Sequence, residues 1–195
     1  MNLAILCGVL AGLAHVLGYW IYNKGVFSDP TLKPNATSWG LWAFGSLLTC
    51  SSYAQLAHDW VKEILPFVCV TACILTFLAF LAKGKLGRPD KYEAIILILD
   101  LIILGFWILT DSARYTNLFL QVSTIVSFVP IIRSVWKDPK TENPLPWFVW
   151  STAYALMSLT VIFRYEKWWD LAYPVNYLIL HIIVGLIAKS RTAEA

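Results

Sequence analysis

Residues 35–60 read NATSWGLWAFGSLLTCSSYAQLAHDW, and residues 143–168 read NPLPWFVWSTAYALMSLTVIFRYEKW. Laid over one another at an offset of 108 residues, they match at Asn35 and Asn143, Trp39 and Trp147, Trp42 and Trp150, Leu48 and Leu156, and Trp60 and Trp168, with Pro66 and Pro174 following just beyond. Six coincidences at one offset, three of them tryptophan, point to an internal duplication even in a chain with ten tryptophans.

What is duplicated follows from the hydropathy. The 195 residues are 58% hydrophobic and 14% charged, with a mean hydropathy of +0.65, against about 25% charged in an ordinary soluble domain. The apolar residues fall in long blocks, and crossing a hydrocarbon layer about 30 Å thick takes about 20 helical residues. Seven blocks of that kind are expected, at 3–22, 37–57, 64–82, 92–110, 115–135, 146–163 and 168–188. The first is too long, and its flank too uncharged, for a cleaved signal peptide. The offset of 108 residues covers four spans, so helices one to three correspond in the same orientation to helices five to seven. The expected fold is all-α and integral to the membrane, two parallel three-helix repeats (1–83 and 112–195) joined by a linker region with helix four (84–111).

Lys and Arg set the orientation, because positively charged loops stay in the cytoplasm. Lys24, Lys33, Lys83, Lys85, Arg88, Lys91, Arg133, Lys137, Lys140, Lys189 and Arg191 share one side, and Lys62, Arg114, Arg164 and Lys167 the other. The amino terminus is therefore expected outside and the carboxyl terminus in the cytoplasm. The compact chain, with almost no tails, suggests a bacterial inner membrane. The expected partners are the lipid bilayer and a small-molecule solute; self-association is left open. With a net charge of +3 and its basic residues between the apolar blocks, the chain offers no nucleic-acid face.

This arrangement resembles the SWEET and PQ-loop superfamily of seven-helix transporters, which share the three-one-three order and the outside amino terminus. Pro130 in helix five, Pro34 before helix two and Pro146 at the start of helix six resemble the SWEET hinge prolines, whereas helix one has Gly18 and no Pro-Gln pair occurs. Trp42 and Trp150 resemble the tryptophans those proteins place around a sugar, and Pro174-Val175-Asn176 approximates their Pro-Asn pair. The resemblance implies a facilitator of a small polar solute such as a sugar, working by alternating access. Sorting receptors with the same fold supply the alternative, a non-transporting receptor or scaffold.

The residues themselves add candidates. Trp39 and Trp42, like Trp147 and Trp150, share a helical face, the first of each pair expected in an interfacial aromatic belt and the second facing the pore. An indole there can stack on a solute and donate its N–H. Asn176 with Tyr154 and Ser46 would complete the solute site, and Ser158 and Thr49 could join them. Pro66, Pro130 and Pro174 are hinge candidates, since each removes a helical hydrogen bond. Asp100, mid-membrane at a cost of about 2.5–3.5 kcal/mol on insertion scales, calls for compensation by protonation of the carboxyl or by a hydrogen bond to His15, and the two residues are proton-coupling candidates. Gln121, Thr124 and Ser127 share a face of helix five that looks either to the pore or to a neighbour.

Cys7, Cys50, Cys69 and Cys73 lack ligands at zinc spacing and read as small buried hydrophobes. No metal or cofactor is expected. The enzyme motifs His-Glu-x-x-His and Gly-x-Ser-x-Gly are missing, and helix seven lacks the mid-span lysine a retinal protein needs, Lys189 lying at its end.

Overall fold

The computed structural model describes residues 2–28, 36–82 and 87–192. Pro34 and Asn35 lie outside the described residues. Among these there are seven α-helices and no strand: α1 (Leu3–Ser28), α2 (Ala36–Ala57), α3 (Trp60–Ala82), α4 (Lys91–Thr110), α5 (Ala113–Lys137), α6 (Pro144–Phe163) and α7 (Ala172–Thr192), with short 3-10 turns at Pro139–Thr141 and Trp168–Leu171.

Local chemistry sets the helix ends. Asp90 accepts from the backbone N–H groups of Tyr92 and Glu93, and Glu93 accepts in return from the Asp90 N–H, a capping box that starts α4. Asn143 caps α6 through Leu145 N–H, with Pro144 at the first helical position, where the missing donor costs nothing. His58 (φ 47°) and Asp111 (φ 50°) turn the chain sharply after α2 and α4.

Six of the seven helices are long and apolar enough to cross a membrane. The exception is α2, 22 residues long and uncharged, whose Ser and Thr residues lower its apolarity. Those residues turn inward. Ser52 and the Thr49 carbonyl both accept from the Asn117 side chain of α5, so polar groups that would be costly in lipid are satisfied between helices.

Polarity is inverted relative to a soluble protein. On α4, Glu93, Ile96, Asp100 and Ile103 form a buried stripe at helical spacing, while Ile98, Leu101, Ile102 and Leu109 face outward. Large exposed apolar side chains also cover α1, α3, α5 and α7, as lipid contact requires.

α3 packs against both α1 and α2, and α7 against both α5 and α6. The two trios meet along α1 with α6, the most extensive interface, and along α2 with α5. α4 lies on α5 and touches α2. At the α1–α6 crossing a Cβ added to Gly18 would run into the Trp150 indole ring. Gly18→Ala is therefore expected to cost about 1–3 kcal/mol through overpacking, read as a lowered melting temperature of the detergent-purified protein.

Pro174 lies nearer a helix start than the sequence places it. The sequence places it well inside a span beginning at 168, but Trp168–Leu171 forms a 3-10 turn and Pro174 falls in the first turn of α7. There its missing N–H disturbs little. Pro66 and Pro130 are helix-interior prolines, as expected.

Candidate functional site

Residues four apart in a helix lie one above the other on one face, and five helices use that spacing to build a central chamber. α1 supplies His15 and Tyr19, α2 Trp42 and Ser46, α3 Cys69 and Cys73, α6 Trp150 and Tyr154, and α7 Tyr177 and His181. α5 adds Thr124, Ser127 and Phe128. The chamber is about 40 Å³, room for about one water molecule. Its walls are aromatic: Tyr154 stacks on Tyr177 with ring centres 5.0 Å apart, and Trp42 stacks on Phe128 at 5.7 Å.

A much larger cavity of about 520 Å³ opens at one end of the bundle, where α1 ends and α2, α4 and α6 begin. Tyr22, Trp39, Trp42, Ser38, Asp90, Glu93, Ser127, Pro130 and Glu142 are among its lining residues. Beside the chamber lies a third cavity of about 30 Å³ that reaches Asp100, Ser123 and Thr49. Trp42 and Ser127 line all three spaces and so stand between the vestibule and the interior.

Of the sequence-based candidates, Trp42, Ser46, Trp150, Tyr154 and His15 converge on the chamber. The Trp150 indole N–H, expected to serve a solute, instead donates to the His15 carbonyl at 3.3 Å. Trp150 is 2% exposed, so it is as much a strut as a wall. Trp39 and Trp147 are not belt residues: both are buried, packed against Trp42 and Trp150 respectively. Trp20, Trp60, Trp136 and Trp168 are exposed, as belt residues would be.

Asn176 lines none of the three cavities. Its amide donates to the backbone and side-chain oxygens of Gln121 at 3.0 and 3.3 Å, which ties α7 to α5. The polar face of helix five is thus divided, Gln121 to its neighbour, Thr124 and Ser127 to the cavities. Asp100 is buried and pairs with Ser123, whose hydroxyl donates at 2.5 Å, rather than with His15. His15 is 1% exposed, and neither ring nitrogen has a hydrogen-bond partner, although the Cys69 thiol faces it.

The opposite end of the bundle is held by charge. Ser38 at the vestibule and Tyr53 are fifteen residues apart in α2, about 22 Å along the helix. Near Tyr53, Lys62 of α3 donates to Asp170 at 2.8 Å, with both side chains at most 1% exposed. Tyr53 donates to the Asp170 carbonyl at 3.0 Å, and Arg164 pairs with Asp59. Burial raises the Asp59 carboxyl, but the Arg164 hydrogen bond, the Val61 N–H and the nearby positive charges outweigh it and hold the carboxyl below its usual range. The tie therefore persists at neutral pH and weakens as pH falls through that lowered value.

At the vestibule, burial pushes the Glu142 carboxyl up to about 7, partly offset by the Trp147 indole N–H donating at 3.0 Å. Neither Glu142 nor the Lys62–Asp170 pair stood out in the sequence. The pair had a signal, since Lys62 and Asp170 are themselves 108 residues apart. Among the described residues no cluster of three or more His, Cys, Asp or Glu could hold a metal ion. No protein-family model, curated protein or solved structure matches the chain.

Proposed function

We propose that the chain is a membrane transporter for a small polar solute, two parallel three-helix bundles that open alternately to either side of the bilayer. In this reading α2 is the seventh span and α4 the linker, and the vestibule faces the cytoplasm because, among the described residues, Lys24, Arg88, Lys91, Arg133, Lys137, Lys140 and Lys189 fall at the end bearing it, against Lys62, Arg114, Arg164 and Lys167 at the other.

The observation that carries the reading is the asymmetry of the two ends. A roomy vestibule leads down to Trp42 on one side, and on the far side the buried Lys62–Asp170 pair and the partly exposed Arg164–Asp59 pair tie one trio to the other. A carrier caught open to one compartment has this form. The repeat is supported by equivalences at 108 residues within the chamber itself, where Trp42 and Ser46 answer to Trp150 and Tyr154, and Cys69 and Cys73 to Tyr177 and His181.

The proton-coupling role belongs to Asp100, next to the chamber and hydrogen-bonded to a neutral hydroxyl. Saturable uptake of labelled small solutes into proteoliposomes tests the function. Asp100→Asn, which can keep an acceptor for Ser123, is expected to leave uptake without acceleration by an imposed proton gradient. Unchanged acceleration would remove Asp100 from the coupling, and a complete lack of saturable uptake across a broad solute panel would count against transport.

A further inference from the structure

We propose that the chamber takes flat aromatic solutes, heteroaromatic rings with their polar atoms at the rim, in preference to sugars and other puckered molecules. This rests on the transport reading and narrows it.

The relevant observation is how the rings of the wall face one another. Most ring contacts in the bundle are tilted or edge to face, as with Trp147 and Trp150 at 85°. Among the described residues three contacts are close to parallel: Trp42 with Phe128 at 14°, Tyr154 with Tyr177 at 28°, and Tyr177 with His181 at 25°. All five of these residues line the chamber.

The parallel contacts divide by trio. Trp42 belongs to α2 and Phe128 to α5, so that pair bridges the two trios and is parted when they rock. Tyr154, Tyr177 and His181 belong to α6 and α7 of one trio and form a run of ring faces that rocking leaves together. With about 40 Å³ free, a solute has to part the walls on entry. Opening the Trp42–Phe128 contact makes a slot with two flat sides, and a flat ring closes it again with a stacking contact on each face. A chair-shaped molecule holds the sides apart at its axial atoms and brings no ring face of its own.

Hydrogen bonding points the same way. Thr124 donates to the Leu120 carbonyl at 2.9 Å, Ser127 to the Thr124 carbonyl at 2.8 Å, and the Trp150 indole to the His15 carbonyl. Ser46 meets the thiols of Cys73 and Cys69 at 3.6 and 3.9 Å. A pyranose points hydroxyls out all round its ring, each needing a partner once water is left behind, and these side chains have already given their donors away. A heteroaromatic ring keeps its polar atoms in its own plane. Its faces stay bare for the ring walls, and its rim N–H groups suit the remaining oxygen lone pairs of Ser46, Thr124 and Ser127.

The test uses the full chain in lipid nanodiscs, with empty nanodiscs subtracted, titrated calorimetrically with two matched pairs and with glucose. One pair is uracil and dihydrouracil, and the other is the pyridone lactam and its saturated counterpart piperidone. Within each pair the amide groups are the same and only the first member is flat and aromatic. The flat member should bind about tenfold more tightly than its puckered partner, a difference of about 1.4 kcal/mol, and more tightly than glucose. Trp42→Leu, which keeps an apolar side chain without a ring face, should bring the ratio within each pair close to one, whereas Trp42→Phe should keep most of it. Melting temperatures of both variants show that they are folded. Equal or tighter binding of a puckered member or of glucose would overturn the proposal, as would a lack of saturable binding by both flat members at millimolar concentration, or an unchanged ratio in folded Trp42→Leu. Vesicle flux separates the two readings: flat solutes bound but never carried across defeat transport alone, and saturable glucose flux without binding of either flat member defeats this inference alone.

Discussion

Lys62→Met is expected to destabilise the protein by about 3–5 kcal/mol, because it strands the Asp170 carboxylate without its partner in a site at most 1% exposed. Asp170 has little else to turn to. Its second carboxylate oxygen already lacks a hydrogen-bond partner, and the nearby Glu166, 3.9 Å from Lys62, is an anion itself. The loss should appear as a large drop in the melting temperature of the purified protein. Adding Asp170→Leu should recover most of it, since removing both charges together eliminates the uncompensated one. If the double variant is no more stable than the single, the pair does not hold the trios together.

The second large effect belongs to Trp42. Trp42→Ala should lower solute uptake at least tenfold, equivalent to about 1.4 kcal/mol of lost interaction at the transport step, with a modest change in melting temperature. Trp42 is half-buried and borders all three cavities, so its ring is presented to the path. Trp150→Ala should behave differently. A side chain 2% exposed, bonded to the His15 carbonyl and packed against Gly18, leaves a large void when truncated, at about 3–5 kcal/mol. Asn176→Ala should weaken the α5–α7 tie and leave uptake largely intact, because its amide serves Gln121. The two tryptophans are thus equivalent in sequence and unequal in setting, one bordering all three cavities and the other buried against Gly18.

The same contrast shows how far the sequence can be read. Block length and hydropathy are local properties dictated by the bilayer, which is why the seven helices fall close to their expected positions. The least apolar of them, α2, was recoverable because its Ser and Thr residues interrupt the block without adding charge. Facing is another matter. The spacing of Trp39 and Trp42 says that they share a face and is silent on whether that face meets lipid or a neighbouring helix, so Trp39 and Trp147 read as belt residues although both are buried. A partner choice is equally nonlocal: Asp100 and His15 fall at similar depths, yet the nearer hydroxyl of Ser123 satisfies the carboxylate. The position of Pro174 in the first turn of α7 was not legible, because a one-dimensional block has no way to show a 3-10 turn ahead of an α-helix. Lys62 and Asp170 passed unnoticed because charges near span ends are ordinarily solvated, and only the fold brings these two together out of solvent.

Alternating access is the central claim, and distances between paired spin labels at the two ends of the bundle test it most directly. One pair, at Ser28 and Lys140, spans the vestibule end, and the other, at Trp60 and Trp168, spans the latched end; all four side chains are exposed. With Lys62→Met/Asp170→Leu, the Trp60–Trp168 distance should lengthen while the Ser28–Lys140 distance shortens, as expected of two bundles rocking about Trp42. Distances that stay fixed at both ends, or lengthen at both together, would contradict it.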